Sequence, residues 1–258
     1  MSIELLITVV SAVVALASAA LTGLIGAWTG KQRDSLHDQL ERQRAASAKQ
    51  EVRQDLMSRF RDPLLWAAFD LQSRVYNIVA QGALRLYLSG GTPAEQAYVR
   101  RNTLFVLAEY LGWVEIVRRR VQFLDLGSRE TNRQLVSHLS KISGILNTDG
   151  FPDQLFRIFR GEQRAIGEIM IDTSADWATC IGYAEFCAKL ENNASFAGWF
   201  TRLSDDIDQL AEGQVVRNPR LVELQNAVVD LIDFLDPESI RFPDHHRSSL
   251  RDRSRMTS

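Results

Sequence analysis

The residues from Leu5 to Trp28, LLITVVSAVVALASAALTGLIGAW, form a run of 24 without a single charge. As a helix rising 1.5 Å per residue, such a run is about 36 Å long, enough to cross a bilayer core of about 30 Å with some tilt. A helix buried in a soluble domain rarely stays uncharged for so long, so residues 1–30 read as a transmembrane anchor. A cleaved signal peptide is the rival reading, helped by Ala15-Leu16-Ala17. Against it, Glu4 rather than Lys or Arg precedes the run, and the run exceeds a usual h-region. Lys31 and Arg33 follow directly, and the positive-inside rule then puts the N-terminus outside and residues 31–258 in the cytoplasm.

Within the run Ser11, Ala15, Ala19, Gly23 and Ala27 recur every four residues, and Gly26 and Gly30 form a GxxxG at its end. A stripe of small side chains lets two helices approach closely in lipid. A generic alanine-rich anchor has the same composition. The partners this implies are the lipid bilayer and either a second copy or another protein.

Beyond the anchor, composition decides the class. With 45% apolar and 24% charged residues the chain is that of a globular protein. Segment 31–61 holds eight Lys/Arg against five Asp/Glu, whereas 62–236 carries a net charge of −6. An acidic domain argues against a nucleic-acid partner.

The predicted fold class is all-α: one N-terminal transmembrane helix, a helical stalk over 31–61, then a bundle of about seven helices over 62–236. Asp62-Pro63 reads as an N-cap with proline at the first helical position. Helices are predicted at about 63–88, 93–125, 129–147, 153–171, 175–191, 195–212 and 219–236 from apolar residues at helical spacing. A polar stripe of Asp70, Arg74, Asn77 and Gln81 reads as the solvated edge of the first. Thr92-Pro93-Ala94-Glu95 is a capping box. The stretch LFVLAEYLGWVEIV, apolar nearly all round, marks 93–125 as the central helix. No run alternates with period two. Cys180 and Cys187 fall on one face of one predicted helix, too far apart to bridge. The tail over 237–258 has few apolar side chains and reads as disordered.

No glycine-rich phosphate loop, GxSxG, CxxC or HExxH occurs, and no histidine follows a glutamate by three residues. No cofactor or metal is expected, and no motif specifies a reaction. What remains is charge within apolar helices. Glu115 has Arg118 and Arg119 at i+3 and i+4, and Glu185 has Lys189, so both read as local ion pairs. Glu109 has only Phe105, Val106, Gly112 and Trp113 around it on its own helix and needs a partner elsewhere. Arg164 and Glu168 are an i,i+4 pair that could reach Glu109 or Asn102. Gly161 and Gly167, costly in a helix, suggest a close approach there. Asn102, Glu109, Arg164 and Glu168 are therefore the candidate polar cluster, either a functional site or a network that sets helix register.

The stretches RDPLLWAAFDLQSRVYNI, YLGWVEIVRRRVQFLDL and FRGEQRAIGEIM resemble parts of an uncharacterised family of bacterial membrane-anchored helical proteins of unknown function. The resemblance covers about residues 55–210. It implies a bacterial inner-membrane location and brings no activity, ligand or site residue with it. Together these features predict a membrane-anchored interaction or scaffold module. The alternative is a tethered ligand sensor, or an enzyme of unfamiliar type, built on Glu109, Arg164 and Glu168.

Overall fold

The computed structural model describes residues 12–19, 21, 41–44, 47–48, 59–120, 129–174, 177–213, 217–243, 247 and 249–251. The chain divides into two units, Met1–Gln54 and Asp55–Ser258. In the first, 12–19, 21, 41–44 and 47–48 are helical and exposed. Among the described residues no helix is long and apolar enough to cross a membrane. Most of the apolar run, including Ser11, Gly23 and Ala27 of its small-residue stripe, and most of the stalk lie outside the described residues, whereas Ala15 and Ala19 lie within them.

The second unit is mostly helical, as its sequence predicts. It consists of α1 (59–81 as described), α2 (Ala83–Gly90), α3 (Pro93–Arg120), α4 (Arg129–Asn147), α5 (Arg160–Ile169), a hairpin of β1 (Ile171–Asp172) and β2 (Thr179–Cys180), α6 (Tyr183–Asn192), α7 (Ala194–Gly198), α8 (Thr201–Glu212) and α9 (Pro219–Leu235). The apolar α3 is central, touching α2, α5, α6, α8 and β2, while α4 lies on α9. The capping box forms: Thr92 N–H donates to Glu95 Oε2 at 2.8 Å, and Glu95 N–H returns to Thr92 Oγ1 at 3.4 Å.

Several predicted boundaries are corrected, each for a tertiary reason. Asp62-Pro63 does not start α1, because residues 59–62 are already helical. Proline disfavours that conformation in its predecessor. Here Arg61 donates to the Leu235 carbonyl from Nε at 2.7 Å, and Asp62 pairs with Arg241 at 2.8 Å, so contacts with remote segments hold the turn. The predicted helix 63–88 breaks at Gly82, whose φ of 66° is left-handed and suits glycine. Helix 195–212 breaks at Trp199-Phe200, a break that leaves Phe196 and Phe200 each with ring centroids within 5.5 Å of Phe186. Within 175–191 the chain forms β2 and then α6, so Cys180 and Cys187 share no helix face. With two residues each, β1 and β2 are too short to leave an alternating pattern.

Helix 153–171 shrinks to α5, because side chains from elsewhere hold 153–159 in irregular form. Asp206 accepts from Phe156 N–H at 2.9 Å, and Phe156 has a φ of 57°. Arg220, wholly buried, donates to the Leu155 carbonyl at 3.0 Å and to the Ile145 carbonyl at 2.6 Å. Asn218 caps α9 by accepting from Leu221 N–H and also donates to Asp153. Glu162 then accepts from Phe159 N–H at 2.8 Å and opens α5.

The tail is not wholly disordered, since 237–243, 247 and 249–251 take defined positions and much of this length is packed down. Phe242 stacks on Phe69 with centroids 3.8 Å apart, Leu250 is buried, and its N–H donates to Gln225 Oε1 at 3.0 Å. Arg247 is buried against Asp236. Asp236 also accepts from the N–H groups of Ile240, Arg241 and Phe242, so polar contacts replace the apolar residues that the tail lacks.

Two of these features can be tested by stability. Arg220→Met is expected to cost about 2–4 kcal/mol, since the half-buried Ile145 and Leu155 carbonyls lose their guanidinium donor. Urea unfolding followed by circular dichroism should show a lower midpoint with an unchanged slope. A Cβ at Gly167 would stand 2.7 Å from the Leu111 carbonyl oxygen and 2.8 Å from Glu115 Cβ, whereas one at Gly161 meets nothing within 4 Å. Gly167→Ala is therefore expected to destabilise by about 1–3 kcal/mol, and Gly161→Ala to be neutral or stabilising by up to about 1 kcal/mol. Thermal unfolding of the two variants checks the contrast.

Candidate functional site

The close approach at Gly167 sets α5 against α3 and brings their charges together. Glu115, with its side chain 3% exposed, is held from both sides: Arg118 reaches it with Nε and Nη2 at 2.7 and 2.6 Å, and Arg119 with Nε at 2.7 Å. Burial works to raise the pKa of Glu115, but these hydrogen bonds and charges outweigh it and hold the carboxyl below its usual range. Arg119 then continues to Glu168 at 3.1 Å. The local pair predicted from the i,i+3 and i,i+4 spacing forms, as does Glu185–Lys189 at 2.8 Å.

The candidate cluster does not come together. Glu168 is exposed and pairs with Arg119, not with Arg164 or Glu109. Arg164 is exposed and lines a cleft on the α4 side of α5. Asn102 is half-buried. The neighbour of Glu109 is a second acid, Asp70 of α1. Burial and then the Asp70 charge push the Glu109 carboxyl up to about 7, and partial burial raises Asp70 too. On the other side of Glu109, Cys180 donates its thiol to the Glu109 carbonyl at 3.8 Å, and burial drives the pKa of that thiol up. Of the predicted polar edge of α1, Asp70 and Gln81 are exposed, while Arg74 and Asn77 are half-buried. Arg74 crosses to α3, donating to Thr103 Oγ1 at 2.9 Å and the Val99 carbonyl at 2.7 Å. Two acids and an unreactive thiol supply no activated nucleophile. Among the described residues no group of three or more His, Cys, Asp or Glu could hold a metal ion.

The cleft itself lies between α3, α4 and α5 and encloses about 300 Å³, a small pocket by the usual scale. Its apolar lining is Leu111 and Val114 from α3 and Val136 and Leu139 from α4. Its rim is Arg118, Arg160 and Arg164, with Glu115 at the base. Gln163 holds the α4 and α5 walls together, donating to the Ser143 carbonyl at 3.1 Å and the Ile158 carbonyl at 2.7 Å. Sequence reasoning singled out Arg164 but missed Arg160 and the four apolar lining residues. The available signal was Arg160 and Arg164 at i,i+4 on a strongly amphipathic helix.

Comparison with protein-family models, curated proteins and solved structures finds no match to this chain.

The Glu109 environment predicts a pH dependence. Its folded pKa of about 7 lies above the ordinary value of 4.5, so the folded state favours the protonated form. This group's cost to stability is absent below about pH 4.5, grows as pH rises and is complete above about pH 7. Glu109→Gln removes the cost. Urea midpoints measured from about pH 5 to about pH 8 should fall less steeply in the variant, which is expected to be the more stable protein at the alkaline end. Parallel curves would show that Glu109 is not the titrating group.

Proposed function

We propose that this protein is a membrane-anchored helical module whose globular unit binds a small ligand, a sensor rather than an enzyme. The observation that carries the reading is the cleft of about 300 Å³ between α3, α4 and α5, apolar inside and lined by arginine at its mouth. Its residues are not the set expected from sequence: Arg164 remains, while Glu109 and Glu168 give way to Arg118 and Arg160. The anchor is supported by the uncharged run Leu5–Trp28, with Lys31 and Arg33 after it placing residues 31–258 in the cytoplasm. The family resemblance supports an inner-membrane location.

A second reading makes the globular unit an interaction or scaffold module. It draws on Trp66 and Ile240, which are 52% and 74% exposed, with Trp66 meeting Phe242 edge-on at 4.6 Å. Self-association through Ser11, Ala15, Ala19, Gly23 and Ala27 belongs to this reading.

The test is to purify the full-length protein from membranes, denature it, and analyse the organic extract by mass spectrometry. Ser140→Trp fills the cleft from an exposed position on α4 and serves as the comparison. A small molecule retained by the parent and lost from Ser140→Trp is expected. Identical extracts from two equally folded proteins would sink the ligand reading and leave the scaffold.

A further inference from the structure

The cleft lining holds three arginines against one glutamate, a net charge of +2 within a chain whose net charge is −2. That one glutamate is already taken, since Glu115 is neutralised by Arg118 and Arg119. The remaining two guanidinium groups, on Arg160 and Arg164, make no ion pair with any described residue, although ion pairs occur throughout the rest of the fold. They stand at i,i+4 on α5, where like charges are neighbours and repel. An anion between them would relieve that repulsion and take up their bidentate donors.

Beneath the two arginines the surface changes character. Leu111, Val114, Val136 and Leu139 line the cleft, and Val136 is 46% exposed. Among the described residues no aromatic side chain lines the cleft, so none of them offers a nucleobase a stacking partner. Among the described residues no unpaired carboxylate lines it, so none of them offers a cation a counter-charge. A polyol would leave the apolar lining unused, and a neutral hydrocarbon would leave the arginines unused. What satisfies both halves is one molecule with an anionic head and an apolar tail.

We propose that this cleft binds a small amphiphilic anion whose oxyanion head sits on Arg160 and Arg164 and whose hydrocarbon chain lies along Leu111, Val114, Val136 and Leu139. The proposal deepens the ligand-binding reading given above and rests on it. Carboxylate and phosphate heads share the chemistry that the arginine forks recognise. A free acyl carboxylate and a phosphate-headed lipid fragment are therefore the two sources to distinguish. Arg118 supports the site indirectly: with Nε and Nη2 committed to Glu115, it keeps that carboxylate from repelling the head group.

The experiment is calorimetric titration of the full-length protein in zwitterionic lipid nanodiscs with four probes that share one chain: decanoate, decyl phosphate, decanol and decyltrimethylammonium. Empty nanodiscs supply the partitioning background. Saturable one-site binding is expected for decanoate or decyl phosphate, at least about tenfold tighter than for decanol or the cation. Whichever anion binds tighter identifies the source. The Arg160→Gln/Arg164→Gln double variant should lose about tenfold in affinity for that anion and leave decanol unchanged. Both positions are exposed on α5, and an unchanged thermal unfolding curve confirms that the variant folds. If decanol binds as tightly as the anions, or the double variant binds like the parent, the head-group assignment is overturned while the cleft stays a ligand site. If no probe binds above background and Ser140→Trp titrates like the parent, the ligand reading itself falls with it.

Discussion

The last turn of α4 depends on a guanidinium that belongs to another helix. A helix end leaves its final carbonyls without intrahelical donors, and buried carbonyls without donors are costly. Arg220 of α9 reaches the Ile145 carbonyl at 2.6 Å and the Leu155 carbonyl at 3.0 Å from a fully buried position. Burying that charge is itself unfavourable and lowers the arginine's pKa, so the arrangement holds only while the carbonyls stay in place. The Phe151 ring, 4.7 Å from the guanidinium carbon, covers another side of the same group. Around this point Ile158 N–H bonds to the Leu146 carbonyl, and the Asn147 side chain accepts from Arg160 N–H. The start of α5 is therefore fixed by the end of α4, and both are tied to α9.

Once α5 starts there, its line is set by Gly167. The Leu111 carbonyl and Glu115 Cβ occupy the space that any side chain would need, so α5 meets α3 with the two backbones close together. A similar approach occurs on α3 itself, where a Cβ on Gly112 would stand 2.6 Å from Cys180 Sγ and 3.0 Å from Met170 Cβ. Contact at Gly167 and attachment to α4 through Gln163 leave the cleft between these fixed points. It is a consequence of three helices meeting at a glycine and a buried glutamine. Its chemistry comes from the residues that α5 presents there, namely Arg160 and Arg164.

Much of this was legible in the chain. Two helices, 129–147 and 219–236, have bounds that match their prediction to within one residue, and the Thr92 capping box forms as its spacing requires. Glu115 with Arg118 and Arg119 was equally readable, because i,i+3 and i,i+4 partners are neighbours by helix geometry alone. The failures share a cause. The predicted helix 153–171 has helical periodicity along its whole length, yet Asp206 and Arg220 capture its first part from about fifty residues away or more. Neither the tail's few apolar groups nor its arginines reveal that Phe242, Arg247 and Leu250 have buried places prepared for them.

By itself, then, the sequence determined the helical class, the central position of α3, the local ion pairs and the Thr92 capping box. Each of these rests on spacings within about one or two helical turns. The tertiary structure alone decided that Glu109 faces Asp70 instead of Arg164, that Glu168 turns to Arg119, and that Arg160 and Arg164, without an ion pair among the described residues, line a largely apolar cleft. Those pairings join residues tens of positions apart in the chain. Which of them meet depends on where buried donors such as Arg220 find acceptors and where a glycine lets two backbones touch, and no local periodicity encodes either.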